Sequence, residues 1–533
     1  MSDASRAYIQ TLIDRIVPTR DSMYRLIGPI GASEYAALKA LVSGQIEMVS
    51  DPAVPTQIEL DRCVFDHRPV TDGLLCIDFG TAASKIAYDP GNDRYEPLAI
   101  GRQDGGSDPF WARSAIAIDS SGKMVFGNRA IVARDQTDAP ILLSFKSKLW
   151  GDPAVLDTTA LAHAEAIFTF RECIQAYLAY LTLLGTEELE QKGASKYSPR
   201  RYAMPYAYDP ERKLVRQQLG EMLKRAVVLA DTFGQELAEG IDIDRMRMAL
   251  DAVKEISPPD WLLAGQGCVG EPVAAGNFAM DQEIGNLTVY MIADIGAGTT
   301  DFCILCLKSR ADGTLEPIQI GNGALSINVA GDAVDAALVE FLVETQAGEE
   351  HRARLIGAAA TIKERLFSAT AGDDERIDYD LPGGVLISIA RAEFLASRQW
   401  SEFEQTLCDA QSRCFDDADR GYMLGFGNSA IRVVVTGGGS ALPLGIALAS
   451  GRSDGALKVR CIHAPGFPTE LQQRFASILA DLPRLAVALG GSRKILPEDF
   501  DRSDARTSSS IAPVHFWAPF DKTASGLDEM VSS

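Results

Sequence analysis

Apolar and polar positions alternate along this chain in blocks that read as strands and helices separated by glycine-rich turns. Residues 6–16 and 32–48 carry helical periodicity, followed by a proline-containing stretch of short apolar alternation. From Gly73 the texture changes. Leu74-Leu75-Cys76-Ile77 is a short apolar run stopped by Asp78, Gly80 and Thr81, the pattern of a buried strand entering a turn. Strand-like runs follow at residues 85–88, 115–118 and 124–126, the last two separated by Ser120-Ser121-Gly122. Residues 161–184 predict one long apolar-periodic helix, and the polar segment 186–200 a surface loop. Residues 201–204 read as a strand. Asp209-Pro210 then supplies a cap and a first-turn proline for a helix running to about residue 230. A charged helical insertion is expected over 234–259. Strands at 289–293 and 302–307 flank Asp294-Ile295-Gly296-Ala297-Gly298-Thr299-Thr300-Asp301, and residues 353–370 form an amphipathic helix. A third strand, 431–436, meets Gly437-Gly438-Gly439. After about residue 497 the chain turns to Asp, Ser, Thr and Pro, and a frayed tail is expected.

At 533 residues the chain predicts two to four structural units, since domains run to roughly 100–200 residues. A hydrophobic fraction of 46% and a charged fraction of 23% are those of a globular protein. The formal net charge of −22 excludes a general nucleic-acid or acidic-membrane surface, because like charges repel. It leaves nucleotide binding open, where backbone amides and one metal ion act locally. No apolar stretch approaches the ~18 residues of a membrane span, and Asp3, Arg6, Asp14 and Arg15 interrupt the first residues where a secretory leader would be apolar. Nine scattered cysteines, several in apolar runs, read as reduced core residues of a cytoplasmic protein. Cys303 and Cys306 form a C-x-x-C, but they lie in a strand-like run where positions three apart face opposite sides. There is no second C-x-x-C and there are only five histidines, so these two are assigned to the core.

Three segments share one design, an apolar strand followed by a glycine-rich turn: Asp78-Phe79-Gly80-Thr81, the run Asp294 to Asp301, and Thr436-Gly437-Gly438-Gly439-Ser440. Glycines after a strand let backbone N–H groups approach phosphate oxygens, and hydroxyls add donors. An aspartate at the strand end suits a hydrated magnesium ion. Such turns are common without ligands. The first two are informative together because each repeats Asp-x-Gly with a threonine nearby.

Residues 78–85 resemble the first phosphate loop of the actin, heat-shock-chaperone and sugar-kinase superfamily, 294–301 its second phosphate loop, and 433–443 its adenosine loop. The connecting text is most similar to the ATPase domain of the seventy-kilodalton heat-shock chaperones. That text comprises residues 109–118 with 122–130, 145–153, 204–226, Gly270-Glu271-Pro272-Val273-Ala274-Ala275, 331–334 with 362–368, and 483–491. The resemblance covers about residues 73–497. It implies a two-lobed α/β actin-like fold of duplicated ribonuclease-H-like domains. Residues 71–283 would form the first lobe, with an insertion at about 231–262, and 284–478 the second. Residues 479–497 would form a closing helix returning to the first lobe, 1–70 an N-terminal extension and 498–533 a flexible tail.

The resemblance also implies roles. Asp78 and Asp294 would face magnesium through water, with Asp301 close behind. Thr81 and Thr299 would bond phosphate oxygens, and Gly80, Ala82, Gly296, Ala297 and Gly298 would surround them with backbone. Glu271 would position or activate the attacking water, while Gly331 would approach the nucleotide from the second lobe. Gly437, Gly438 and Gly439 would pack on ribose and adenine, and Lys363, Glu364 and Phe367 would line the adenine side. Departures accompany the match. The family's catalytic lysine position is held here by Ile131, with Arg129 nearby, so hydrolysis is expected to be slow. Ala360 stands where a glutamate is usual, and Glu364 where a basic residue is common. The stretch after residue 496 is too short for the chaperones' peptide-binding half.

The reading that follows is a chaperone-like ATPase module using ATP/ADP and magnesium as a conformational switch. An unidentified protein partner would dock on residues 1–70 or 231–262, with neither nucleic acid nor a membrane span involved. An actin-like or division-type scaffold also suits the second loop. A small-molecule kinase of the sugar type is suggested by Asp78 to Thr81 with Lys85.

Overall fold

The computed structural model describes residues 16–18, 24–26 and 58–499, apart from 72, 92, 138, 151–152, 164–165, 206–209, 281–288, 310–314, 369–371, 382–383, 419–430, 450–460 and 464–466. The chain divides into two compact units, residues 1–58 and 59–533. In the first, Ile16–Pro18 pairs antiparallel with Tyr24–Leu26. The helix expected over 32–48 and the tail after residue 499 lie outside the described residues, as does the helix over 6–16 except for Ile16, which opens a strand.

The second unit is built on two mixed sheets. In the first, β1 (Leu74–Asp78) pairs antiparallel with β2 (Ala83–Asp89), which carries β3 (Glu96–Pro97) and β4 (Trp111–Arg113), also antiparallel. A small second layer consists of β5 (Ala115–Ile118), β6 (Lys123–Phe126) and β7 (Ile141–Leu143). On the other side of β1, β8 (Arg200–Met204) and, beyond the two-residue β9 (Ile241–Asp242) of the small layer, β10 (Leu263–Gly270) extend the first sheet in parallel. All five residues of β1 are buried, as in a strand covered on both faces.

In the second sheet, β11 (Val289–Ile295) pairs antiparallel with β12 (Thr300–Ser309), which pairs antiparallel with β13 (Leu315–Ile327). β11 also runs parallel to β14 (Ile431–Thr436), and β14 to β15 (Cys461–His463). Apart from a two-residue edge strand, Glu498–Asp499, that runs parallel to β13, the two sheets repeat one order of strand directions: two parallel pairings, then two antiparallel. In both, the turn of the central antiparallel hairpin is one of the Asp-x-Gly segments.

Helices fill the space around and between the sheets. The small layer carries α1 (Gly127–Thr137), and the first sheet carries α2 (Phe170–Gln191) and α3 (Pro210–Phe233). The insertion contributes α4 (Ile243–Lys254) and β9, which pairs with β6. Between the sheets lie α5 (Glu271–Ala279) and, near the end of the described chain, α9 (Leu482–Ser492). The second sheet is covered by α6 (Gly331–Leu342), α7 (Arg352–Leu366) and α8 (Arg398–Asp417). One buried cluster joins Cys76, Ala87 and Ala203 of the first sheet to Ile292, Cys303 and Leu305 of the second through α5 and α9. The helices approach so closely that a Cβ on Gly490 would lie 1.8 Å from the Ala274 carbonyl oxygen.

Cys303 and Cys306 do lie on opposite faces, Cys303 between the sheets and Cys306 in the core beneath α6 and α8. The expected helix at 161–184 is corrected. Thr159–His163 and Ala166–Thr169 form an antiparallel hairpin, and the helix begins at Phe170 and continues through Gln191, across the first part of the expected loop. The cause is a capping box, in which Thr169 and Glu172 satisfy each other's backbone N–H groups. Of the polar residues after Thr186, Glu190 and Gln191 are exposed on its last turns, while Glu188 is buried and accepts from the Ala99 N–H and the Gln103 side chain. Among the described residues no helix is long and apolar enough to cross a membrane.

Candidate functional site

The two Asp-x-Gly turns meet. A Cβ on Gly298 would stand 3.4 Å from both Oγ1 and Cγ2 of Thr81, so the second turn lies in van der Waals reach of the first. In the first turn, Gly80 leaves no room for a side chain, its hypothetical Cβ lying 2.0 Å from the Ala83 carbonyl oxygen. Ser114 braces this turn: its hydroxyl donates to the Gly80 carbonyl at 2.7 Å and its N–H to the Ala82 carbonyl at 3.0 Å.

The second turn is closed by Gly296 N–H donating to the Thr299 carbonyl at 2.9 Å. The start of α6 clamps it from above, with Gly331 N–H on the Gly296 carbonyl at 3.1 Å and Asp332 N–H on the Ala297 carbonyl at 2.7 Å. Lys363, on α7, donates to the Gly331 carbonyl at 2.9 Å and pairs with Asp335 at 2.8 Å. The third glycine turn closes against the same point. Thr436 donates its hydroxyl to Asp294 Oδ1 at 2.9 Å, and Gly437 N–H reaches the Pro483 carbonyl of α9 at 2.8 Å.

Around these turns four carboxylates are buried, Asp78, Glu271, Asp294 and Asp301, each between 1% and 6% exposed. Their strands explain the convergence. Asp78 ends the central strand β1 and Asp294 is the penultimate residue of the central strand β11, Asp301 is the cross-strand partner of Asp294, and Glu271 opens α5 directly after β10. Thr299 donates to Asp301 Oδ2 at 2.9 Å, and Lys85 pairs with Asp78 Oδ2 at 3.0 Å.

Burial, reinforced by the charges of Asp301 and Asp78, pushes the Asp294 carboxyl up to about 7. Glu271 is also pushed up, by burial first and by Asp301, Asp78 and Asp294, with Lys146 opposing. Burial alone would lower the Lys146 ammonium, but Glu271, Asp78 and Asp301 outweigh it and hold it charged.

Among the described residues no three histidine, cysteine or acidic side chains converge closely enough to ligate a metal directly. The cluster nevertheless sets four buried carboxylates against two ammonium groups, and such an excess of buried negative charge favours a cation. Carboxylate oxygens are the ligand type that hard, hydrated cations take.

Some sequence-predicted residues stand elsewhere. Phe367 does not join the site: its ring stacks on Trp400 at 5.7 Å and is buried in the second-sheet core. Glu364 is exposed on α7 and Gly439 packs against Ile295, whereas Gly438 stays beside Gly437 at the site and is open to solvent. Ile131 packs in the small core with Ala115, Ala117 and Val125, and Arg129 bonds the Glu239 carbonyl of the insertion, so neither reaches the carboxylates.

Sequence reasoning missed Lys146. It lies in a 3-10 segment, Phe145–Trp150, is 4% exposed and forms an ion pair with Glu271. The only signal was a lysine flanked by residues that are buried, Phe145 and Leu149, which in sequence is no different from a solvated lysine. Thr436 was quoted only as part of its turn, yet its hydroxyl orients Asp294. In comparisons with known proteins, the chain matches no family model and no curated sequence.

Proposed function

We propose that this chain is a magnesium- and ATP-dependent conformational switch with the two-lobed actin-like fold, closest in pattern to the seventy-kilodalton chaperone ATPases. One observation carries the reading: two hairpin turns of the same Asp-x-Gly design, from two sheets with the same strand order, touch beside four buried carboxylates. Turns of this kind present backbone amides and hydroxyls to phosphate groups, and the carboxylates balance the ion that accompanies them.

Thr81, Thr299 and the backbone of Gly80, Ala82, Gly296, Ala297 and Gly298 would hold the phosphates. Asp78, Asp294 and Asp301 would hold hydrated magnesium, which supplies charge neutralisation on the phosphate oxygens. Gly331 and Lys363 approach from the second lobe, Gly437 and Gly438 take the nucleoside side, and Glu271 orients the attacking water. Closure around ATP and reopening after hydrolysis would report the bound state to a protein partner.

The test is calorimetry of magnesium-ATP and magnesium-ADP on the wild-type chain and on Asp294→Ala. Micromolar binding that is lost in the variant is the expected result. Absence of binding to either nucleotide by the wild type would sink the reading.

A further inference from the structure

Lys146 is buried against Glu271, 125 positions away in the chain. Its placement is built rather than incidental. Phe145, next to it, packs against Phe79 of the first turn at 5.7 Å between ring centroids and against Tyr177 at 5.2 Å. Phe79 and Tyr177 are themselves 5.7 Å apart, so the segment carrying Lys146 is tied to the turn by three aromatic rings. The residue before Phe145 is Ser144, held at φ 54°, a backbone conformation that non-glycine residues rarely adopt. The next turn is closed by the Ser147 hydroxyl donating to the Ser144 carbonyl at 2.8 Å. Strain of this kind persists where the surroundings over-determine it, and here it turns the chain inward just before the lysine.

We infer that Lys146 is the positioning residue for ATP hydrolysis, holding the Glu271 carboxylate in place against the attacking water. The inference rests on the ATPase reading above. In the step concerned, a water oxygen bonds to the terminal phosphorus while the bond from that phosphorus to the bridging oxygen breaks. ADP leaves with the bridging electron pair, and the water proton passes to Glu271. A carboxylate free to rotate in this cluster would be driven from Asp78, Asp294 and Asp301 by repulsion. The ammonium group holds it in one orientation.

Four proteins are compared for magnesium-ATP turnover and magnesium-ADP affinity: the wild type, Lys146→Met, Glu271→Gln and the double variant. Lys146→Met is expected to lower kcat about a hundredfold or more, as Glu271→Gln does. ADP affinity should change less than about threefold, and the double variant should turn over no more slowly than Glu271→Gln alone. A lysine with a merely structural role would lower the melting temperature and leave the kcat of the folded fraction intact, which overturns the inference. So does a double variant whose loss is the product of the two single losses. The double variant removes both partners of the pair and strands neither, so its comparison with Glu271→Gln decides the matter even if Lys146→Met does not fold. A wild type that binds no nucleotide overturns both the inference and the ATPase reading. A wild type that turns over normally, with Lys146→Met unimpaired, overturns the inference alone.

Discussion

Gly437 has φ 78°, and a Cβ there would lie 2.4 Å from the Ile295 carbonyl oxygen and 2.8 Å from Asp294 Oδ1. Both the backbone conformation and the space therefore demand glycine. We expect Gly437→Ala to cost about 1–3 kcal/mol of stability, through backbone strain and the displacement of Asp294. Urea denaturation measures the cost, and magnesium-nucleotide affinity should fall in parallel. Lys146 poses the complementary case. Removing it alone leaves Glu271 buried among three other carboxylates, and breaking such a pair costs about 3–5 kcal/mol. Removing both partners is expected to cost less than removing Lys146 alone, because Glu271 no longer adds a fourth buried charge to Asp78, Asp294 and Asp301. Equal losses in the single and double variants would contradict that expectation.

Between residues and fold, the instructive element is α2. Its start is set by the Thr169 and Glu172 capping box, and Glu172 also pairs with Arg247 and Lys254 of the inserted α4. Burial would raise the Glu172 carboxyl, but the Thr169 backbone N–H and the two basic side chains outweigh it and lower it. A carboxyl lowered on folding contributes stability above its unfolded value near 4.5, and loses that contribution as pH falls through the folded value. Glu172→Gln is therefore expected to cost about 1 kcal/mol at neutral pH and progressively less below pH 4.5, seen as converging melting temperatures. The Thr-x-x-Glu signature was present in the sequence. Apolar periodicity over residues 161–184 obscured it, because Leu161 and Phe168 are buried as cross-strand partners in a hairpin rather than along one helix. Where periodicity and a first-turn proline agreed, as at α3, the element was legible from the residues, whereas the helical insertion expected over 234–259 is interrupted by β9 and narrows to α4.

Across the whole molecule, the two sheets share a core only because α5 and α9 pack at glycine distance. Gly490 meets the Ala274 carbonyl, and Gly276 leaves room for Leu305 and Ile292. The same two helices serve the site, α5 through Glu271 and α9 through the Pro483 carbonyl that receives Gly437. Gly490→Ala should force the helices apart, at a cost of about 3 kcal/mol. It should also weaken nucleotide binding although residue 490 touches none of the proposed ligand contacts. Calorimetry and denaturation on one preparation test both parts. Undiminished binding in a destabilised variant would show that helix spacing and site geometry are uncoupled.

The central strands and the three glycine turns were determined by the residues alone. Apolar runs, alternation and turn chemistry are local properties, and β5 and β14 lie where their residues place them. Asp78 and Asp294 were likewise legible, as acids at strand ends before glycine. The tertiary structure decided everything that depends on distant chain segments meeting. It took Phe367 into the core beside Trp400 and Ile131 into the small core of the β5 layer, and it brought Lys146 to Glu271 across 125 positions. A lysine in sequence is the same whether solvated or buried. Only the closure of the chain around the carboxylates supplies the negative field that holds this one in place.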